Sequence, residues 1–161
     1  MPYRENLTET ESKARMAWGE VLRIIEKVGR EDILENPNVL DLGGGAGEFS
    51  KYLNQHGVKS ASLDIKDLIT NPGAHQVRGD VHSMPFLDGA FNIVHVHGAF
   101  DVYEYKHDFD VLLSEVERVL RPKGILVIRE FFHPKWQEFE KRFKQLVGFP
   151  DVNYMTVWER K

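Results

Sequence analysis

The sequence predicts a doubly wound α/β fold with a mostly parallel sheet, and three observations support this prediction. Short apolar segments alternate with amphipathic helical segments along the chain, which is the pattern of consecutive β-α-β units. The first apolar segment ends in a glycine-rich turn that leads directly into a helical segment, within residues 39–56. The segment Ile125–Ile128 is apolar, as expected of a strand in a sheet that is covered on both faces.

The N-terminal half of the chain is predicted to contain one long helix and the first three strands. Apolar residues recur at helical spacing over residues 10–29, so we expect a helix that Thr10 or Ser12 caps and Gly29 ends. Residues 39–41 form the first strand, and residues 46–56 form the first crossover helix, which Gly57 ends. A second strand follows at residues 60–64 and a third at residues 76–78.

The C-terminal half is predicted to complete the sheet. Residues 91–97 form the fourth strand, residues 108–120 a helix with one apolar face, and residues 125–128 the fifth strand. Right-handed crossovers give the strand order 3-2-1-4-5. Residues 135–147 are predicted as a charged helix and residues 154–158 as a last, antiparallel strand. Because one helix and one strand fill the segment after the fifth strand, we expect a truncated C-terminal hairpin.

Composition narrows the class of protein. One domain accommodates residues 1–161, with a tail and helix at 1–30, a core at 38–130 and a C-terminal helix and strand at 131–161. The absence of cysteine excludes disulfides, thiolate catalysis and cysteine-ligated zinc. The net charge of −4, without an extended basic run, argues against a nucleic-acid partner. No stretch has the length and apolar character of a membrane span, so we expect a cytoplasmic protein without a membrane partner.

Polar residues mark the predicted carboxyl ends of the parallel strands. Asp41, Asp64, Asp80 and His97 end strands one to four, and ligands of doubly wound sheets bind in the crevice at these ends. The glycines that follow Asp41 allow the backbone to turn sharply and to contact a ligand. Each aspartate also has a simpler interpretation. Asp41 fits a helix cap, Asp64 an ordinary turn residue, and Asp80 the end of a strand.

The glycine pattern disfavours a dinucleotide. Glu48 occupies the position of the third glycine in the Gly-x-Gly-x-x-Gly fingerprint that begins at Gly43. A glutamate there places negative charge where a helix N-terminus would bind pyrophosphate. An NAD-dependent oxidoreductase is therefore a disfavoured alternative, and the lack of a Gly-Lys-Ser/Thr sequence excludes a Walker loop.

The ordered motifs resemble a known family. The pattern Asp-x-Gly-x-Gly-x-Gly from Asp41 is similar to motif I of the Rossmann-like S-adenosylmethionine-dependent methyltransferases, and the chain looks like their small "type 11" domain. Residues 84–91 (Met-Pro-Phe-Leu-Asp-Gly-Ala-Phe) and 115–124 (Glu-Val-Glu-Arg-Val-Leu-Arg-Pro-Lys-Gly) resemble family passages before the fourth and fifth strands. The resemblance spans residues 38–130. It implies transfer of a methyl group from S-adenosylmethionine to an unidentified small molecule or protein.

The same resemblance implies a role for each matching residue. Asp64 would bind the ribose hydroxyls, Asp80 the adenine amino group, and Ile65 with Val81 the adenine ring. The glycine loop and Asp41 would hold the methionine part of the cofactor, and His97 would lie beside it. The implied cofactor-binding residues are Asp41, Gly43, Gly44, Gly45, Gly47, Asp64, Ile65, Asp80, Val81 and His97.

Several residues after the fourth and fifth strands are candidates for acid–base catalysis or for the acceptor pocket. They are His97, Tyr103, His107, Glu130 and His133. Loop packing or ion pairing with Arg129 or Lys135 explains these residue types equally well. His95 and His97 share one strand face, but no third ligand is evident, and we predict no metal site.

A second functional hypothesis follows from the expected truncation of the hairpin. A missing strand would leave a sheet edge open, and open edges recruit partners or a second copy of the chain. The alternative is therefore a non-catalytic cofactor-binding or partner-binding protein on the methyltransferase fold, with a homodimer through the sheet edge as one form.

Overall fold

The computed structural model describes residues 7–66, 71–100, 108–129, 136–148 and 155–161. The helices are α1 (Glu9–Lys27), α2 (Glu48–Gln55), α3 (Phe109–Val119) and α4 (Trp136–Phe139). The strands are β1 (Asn38–Leu42), β2 (Lys59–Asp64), β3 (Gln76–Arg78), β4 (Phe91–His97), β5 (Leu120–Arg129), β6 (Phe143–Val147) and β7 (Met155–Arg160). Short 3₁₀ helices lie at Glu31–Leu34 and Pro72–Ala74.

The described strands form one sheet with the order β3-β2-β1-β4-β5-β7-β6. The first five strands pair in parallel and β7 is antiparallel to both of its neighbours, which confirms the predicted doubly wound fold and the order 3-2-1-4-5. The chain reverses its winding direction between β1 and β4, so these two strands form the topological switch point. Asp41 is the register partner of His95 there. The fold therefore places both side chains where such sheets bind ligands.

The prediction of a truncated hairpin is wrong, and so is the predicted helix at residues 135–147. The helix covers only Trp136–Phe139, while Phe143–Val147 is strand β6 and pairs antiparallel with β7. The register shifts between Gln145 and Val147, which indicates a bulge. A bulge interrupts the alternation of buried and exposed residues, and the interrupted pattern resembles helical spacing. The sheet thus contains both strands of the C-terminal pair.

Smaller differences concern the ends of elements. Thr8, rather than Thr10 or Ser12, caps α1. Its hydroxyl accepts a hydrogen bond from the Glu11 amide at 3.3 Å, and the Glu11 carboxylate accepts one from the Thr8 amide at 2.8 Å. Helix α2 begins at Glu48 because Gly47 has a left-handed conformation with φ of 76°. Strand β5 begins at Leu120 and includes the turn-like residues 121–124, where its pairing with β4 shifts register.

Both faces of the sheet are covered. On one face α1 and α2 pack over the strands through residues such as Ile25 and Leu53. On the other face α3 and α4 pack through Leu112, Val116 and Phe139, and Trp158 of β7 stacks on Phe139 with 5.1 Å between ring centroids. None of the helices in the described ranges combines the length and apolar character that crossing a bilayer requires.

Candidate functional site

Backbone amides of the loop between β1 and α2 donate hydrogen bonds that hold the loop against β2. The Gly43 and Gly44 amides donate to the Leu63 carbonyl at 2.8 and 3.3 Å, and the Gly45 amide donates to Asp64 Oδ2 at 3.0 Å. The Gly47 amide donates to the Gly44 carbonyl at 2.9 Å. These four amides are engaged within the protein, so the loop offers a ligand a tight backbone surface rather than free amide donors.

Gly44 is the position in this loop where a built Cβ atom would make the shortest contacts. A Cβ atom built there would lie 2.2 Å from Ser62 Oγ and 2.4 Å from Asp41 Oδ2. The Asp41 carboxylate is therefore tucked directly against the loop. It does not cap α2, whose N-cap is Gly47 and which has no side-chain capping bond, so the simpler interpretation of Asp41 is excluded.

Asp41 forms a buried pair with His95. His95 Nδ1 donates to Asp41 Oδ1 at 3.1 Å, and the two side chains are only 4% and 7% exposed. The His95 ring packs against Phe49 of α2, with 4.4 Å between centroids. A carboxylate at Nδ1 fixes the ring orientation and leaves Nε2 as the unprotonated nitrogen of the neutral ring. His95 is thus a positioned imidazole below the loop.

A cavity of about 510 Å³ lies beside these residues. Its floor includes Asp41, the Gly43–Gly45 segment, His95 and His97, and Phe49 contributes an aromatic wall. Helix α1 forms the opposite wall through Thr10, Lys13, Ala14, Met16, Ala17 and Glu20. The volume is that of a typical small-molecule site, which ranges over roughly 300–1,000 Å³.

An ion pair joins the α1 wall to the sheet. Arg129 Nη1 at the end of β5 contacts Glu20 Oε2 at 2.7 Å, with the two side chains 29% and 11% exposed. Both residues line the cavity. The pair fixes α1 across the strand ends, so the helix forms part of the site rather than only packing on α2.

His97 is exposed at the cavity and has a perturbed pKa. Partial desolvation lowers the pKa of His97 below its ordinary value, and the neighbouring His95 and Arg129 lower this pKa further. A lowered pKa means that the folded protein favours the neutral imidazole. His97 is therefore unprotonated over a wider range of acidic pH than a free histidine.

Asp64 lies at the edge of the loop and has two amide partners. Its carboxylate accepts hydrogen bonds from the Gly45 amide at 3.0 Å and from the Lys66 amide at 2.9 Å. The bond from the Lys66 amide, two residues further on, is typical of a turn residue, so Asp64 also acts as the ordinary turn residue considered above. A carboxylate has about four acceptor positions, which leaves capacity for further donors. Asp64 lines a small second recess with Gly45 and Ser62 rather than the large cavity.

The residues implied for the adenine end are more dispersed. Asp80 is exposed, and its carboxylate accepts from the His82 amide at 2.9 Å and from His82 Nδ1 at 2.8 Å; these bonds hold the Asp80 pKa below its usual value. Val81 is buried in the core and Ile65 is 48% exposed. None of Asp64, Ile65, Asp80 and Val81 lines the large cavity.

Sequence reasoning therefore assembled only part of this site. Asp41, Gly43, Gly44, Gly45 and His97 come together at the cavity as expected. Glu20 and Arg129 were not predicted, and His95 was considered only as a metal ligand. Tyr103, His107, Glu130 and His133 lie outside the described residues. Within the described ranges, no group of three or more histidine, aspartate or glutamate side chains stands together as metal ligands would.

The side chains and shape at the loop fit S-adenosylmethionine, which the resemblance implies. Gly44 lets the loop backbone lie directly against Ser62 and Asp41, where a Cβ atom has no room. Ser62 Oγ below it is buried and has no hydrogen-bond partner among the described residues. The carboxylates Asp41, Glu48 and Asp64 around the loop suit a ligand with a sulfonium, an ammonium and ribose hydroxyls, and they would oppose a phosphate.

Comparisons with known proteins agree with this chemistry. A family model described as "Methyltransferase domain" matches residues 40–128. A demethylmenaquinone methyltransferase of Beutenbergia cavernae is 36% identical over 124 residues, which cover 73% of this chain and 49% of the relative. A malonyl-[acyl-carrier protein] O-methyltransferase of Buchnera aphidicola is 27% identical over 117 residues, which cover 69% of this chain and 46% of the relative. The chain thus spans about half the length of these curated relatives.

The fold also has a solved counterpart. The PH0226 protein of Pyrococcus horikoshii superposes with a TM-score of 0.64, covering 89% of this chain and 91% of that protein. The two sequences are 18% identical, so the similarity concerns the fold alone.

Proposed function

The chain belongs to the methyltransferase domain family, and from this premise we propose that it transfers a methyl group from S-adenosylmethionine to an acceptor bound in the large cavity. Family membership implies S-adenosylmethionine as the cofactor. The observation that carries the proposal is the cavity itself, which adjoins the glycine loop at the topological switch point and has a buried carboxylate, Asp41, in its floor.

Named side chains of this chain suit the parts of the cofactor. Asp64, which ends β2 beside the loop, would accept hydrogen bonds from the ribose hydroxyls, and such charge-assisted bonds are strong. Asp41 would attract the ammonium group, and Lys13 or Arg129 would face the carboxylate. When bound, the cofactor supplies an electrophilic methyl group. The protein's contribution is to hold the two reactants in line and to exclude water.

A neutral histidine at this cavity can also accept a proton. The lowered pKa of His97 keeps its imidazole unprotonated near neutral pH, the state required of a general base. Such a base is useful when the acceptor must lose a proton from a hydroxyl group or from an aromatic ring carbon. His97 is therefore the described residue that we propose for this role.

The names of the relatives suggest a first acceptor to test. One relative is named for demethylmenaquinone and another for malonyl-acyl-carrier protein, so the family model does not fix the acceptor. Phe49, Ala14 and Ala17 give the cavity an apolar side that suits a flat aromatic ring. We therefore propose a quinol-type aromatic acceptor.

The non-catalytic alternative was argued from an expected missing strand at the sheet edge. That strand, β6, is present in the sheet, so the argument no longer applies.

Asp64→Ala is expected to weaken binding of S-adenosylhomocysteine about 10-fold to 100-fold, because the lost hydrogen bond to a charged group contributes about 1.5–3 kcal/mol to binding. Asp64→Asn keeps an acceptor oxygen, so its affinity should lie between those of Asp64→Ala and the wild type. Isothermal titration calorimetry measures all three affinities. Asp88→Ala is the matched control, because Asp88 is 83% exposed and pairs with Arg118 away from the site.

An unchanged affinity in Asp64→Ala would show that the ribose lies elsewhere. Catalysis is tested separately, by following a labelled methyl group from S-adenosylmethionine to a demethylmenaquinol analogue. Transfer that depends on His97 would support the proposed acceptor and base. Cofactor binding without transfer to this analogue would contradict the quinol proposal.

A further inference from the structure

Two histidines of β4 stand side by side along the large cavity. The ring centroids of His95 and His97 are 6.4 Å apart with the rings nearly perpendicular, and both residues line the cavity. The two rings differ in their surroundings. His95 is buried and held by Asp41 and Phe49, whereas His97 is exposed at the cavity. The exposed ring of His97 makes the charge of the cavity adjustable.

Charged groups from every element around the cavity line it together with these two histidines. They are Lys13 and Glu20 of α1, Asp41 of β1, Glu48 of α2 and Arg129 of β5. Three carboxylates and two cations give these described walls a net charge of minus one while the His97 imidazole is neutral. Protonation of His97 would cancel this charge.

We propose that the charge of His97 determines how strongly the cavity prefers a cationic sulfonium ligand over its neutral thioether counterpart. While the His97 ring is neutral, the negative walls favour S-adenosylmethionine. Protonation of His97 cancels the wall charge and removes this preference relative to S-adenosylhomocysteine, which lacks the sulfonium charge but is otherwise the same molecule without the methyl group. The inference rests on the proposed function, because it assumes that these two ligands occupy this cavity.

Electrostatics and geometry agree on the direction of the effect. The two ligands differ by one unit charge at one atom, so their affinity ratio reports the local potential and cancels most shared contacts. The lowered pKa of His97 keeps the ring neutral above that pKa and charges it only below. The preference for the sulfonium ligand is therefore complete near neutral pH and decreases as the pH falls.

The test is a pair of calorimetric titrations, with S-adenosylmethionine and with S-adenosylhomocysteine, at pH 7.0 and at pH 5.0. The ammonium group of both ligands stays protonated over this range, since an α-amino group has a pKa of about 7.7–8.0. Between pH 7.0 and 5.0 we expect the affinity ratio to shift roughly tenfold toward S-adenosylhomocysteine, as for one unit charge about 10 Å away at an effective dielectric constant of roughly 20. Thermal unfolding at both pH values establishes that the protein is folded.

Histidine variants test whether His97 causes the shift in the affinity ratio. His97→Gln should remove the shift in the ratio. His56→Gln is the matched control, because His56 follows α2 at its other end and does not line the cavity, and it should keep the full shift.

A ratio that is the same at both pH values in the wild type would overturn the inference, and so would a full shift in His97→Gln. Failure of the proposed function gives a different result. In that case neither ligand binds at pH 7.0.

Discussion

Replacing Gly44 with alanine is expected to lower the free energy of unfolding by about 1–3 kcal/mol, the usual cost of overpacking, and to abolish measurable binding of S-adenosylhomocysteine. The new methyl group would overlap Ser62 Oγ and Asp41 Oδ2, at 2.2 and 2.4 Å. Moving either neighbour carries a cost. Ser62 is 1% exposed within β2, and Asp41 is held by its bond to His95. Chemical denaturation and calorimetry measure the two effects.

Gly19→Ala provides a control of opposite sign. Gly19 lies inside α1, and a Cβ atom built there meets nothing within 4 Å. Alanine in a helix interior is favoured over glycine, so this variant should be more stable than the wild type by about 0.5–1 kcal/mol. If both variants changed stability in the same direction, Gly44 would not be packed against Ser62 and Asp41 as closely as the structure indicates.

Replacing Trp158 with alanine is expected to destabilise the protein by about 3–5 kcal/mol, the typical range for a buried tryptophan. The indole of Trp158 is 1% exposed and stacks on Phe139, and its nitrogen donates to the Thr156 hydroxyl at 3.1 Å. Its removal opens a cavity between β7 and α4 and leaves the buried Thr156 hydroxyl without that donor. Urea denaturation followed by circular dichroism gives the change in free energy of unfolding.

Leu87→Ala is the comparison for this prediction. Leu87 is also a large apolar side chain, but it is 83% exposed, so its truncation should change stability by no more than about 0.5 kcal/mol. A cost below about 1 kcal/mol for Trp158→Ala would mean that the C-terminal pair of strands is not part of the cooperative core. In that case the open-edge hypothesis would regain its basis.

Local sequence patterns were sufficient to predict most strands of the sheet. The observed bounds of β3 and β4 coincide with the predicted ones, because turn residues bracket each segment, and β4 is also rich in strand-forming side chains. Strand β6 was mistaken for a helix, since the bulge at Gln145–Val147 breaks its alternation. Its strand conformation is decided by pairing with β7, which no local pattern contains.

The site shows the same division between local and tertiary information. The glycine loop and the carboxylates at the strand ends follow from the chain's local sequence. The Asp41–His95 pair and the Glu20–Arg129 pair join residues far apart in the chain, and they depend on strand register and on where α1 packs. His95 was visible in the sequence, but its burial and its pairing with Asp41 follow only from the assembled sheet.

Calorimetric titration of the purified chain with S-adenosylhomocysteine, and in parallel with NAD⁺, tests the central claim most directly. We predict saturable one-to-one binding of S-adenosylhomocysteine that Gly44→Ala removes, and no binding of NAD⁺, whose pyrophosphate would meet Glu48 beside the loop. Preferential binding of NAD⁺, or no binding of S-adenosylhomocysteine at neutral pH, would contradict the account.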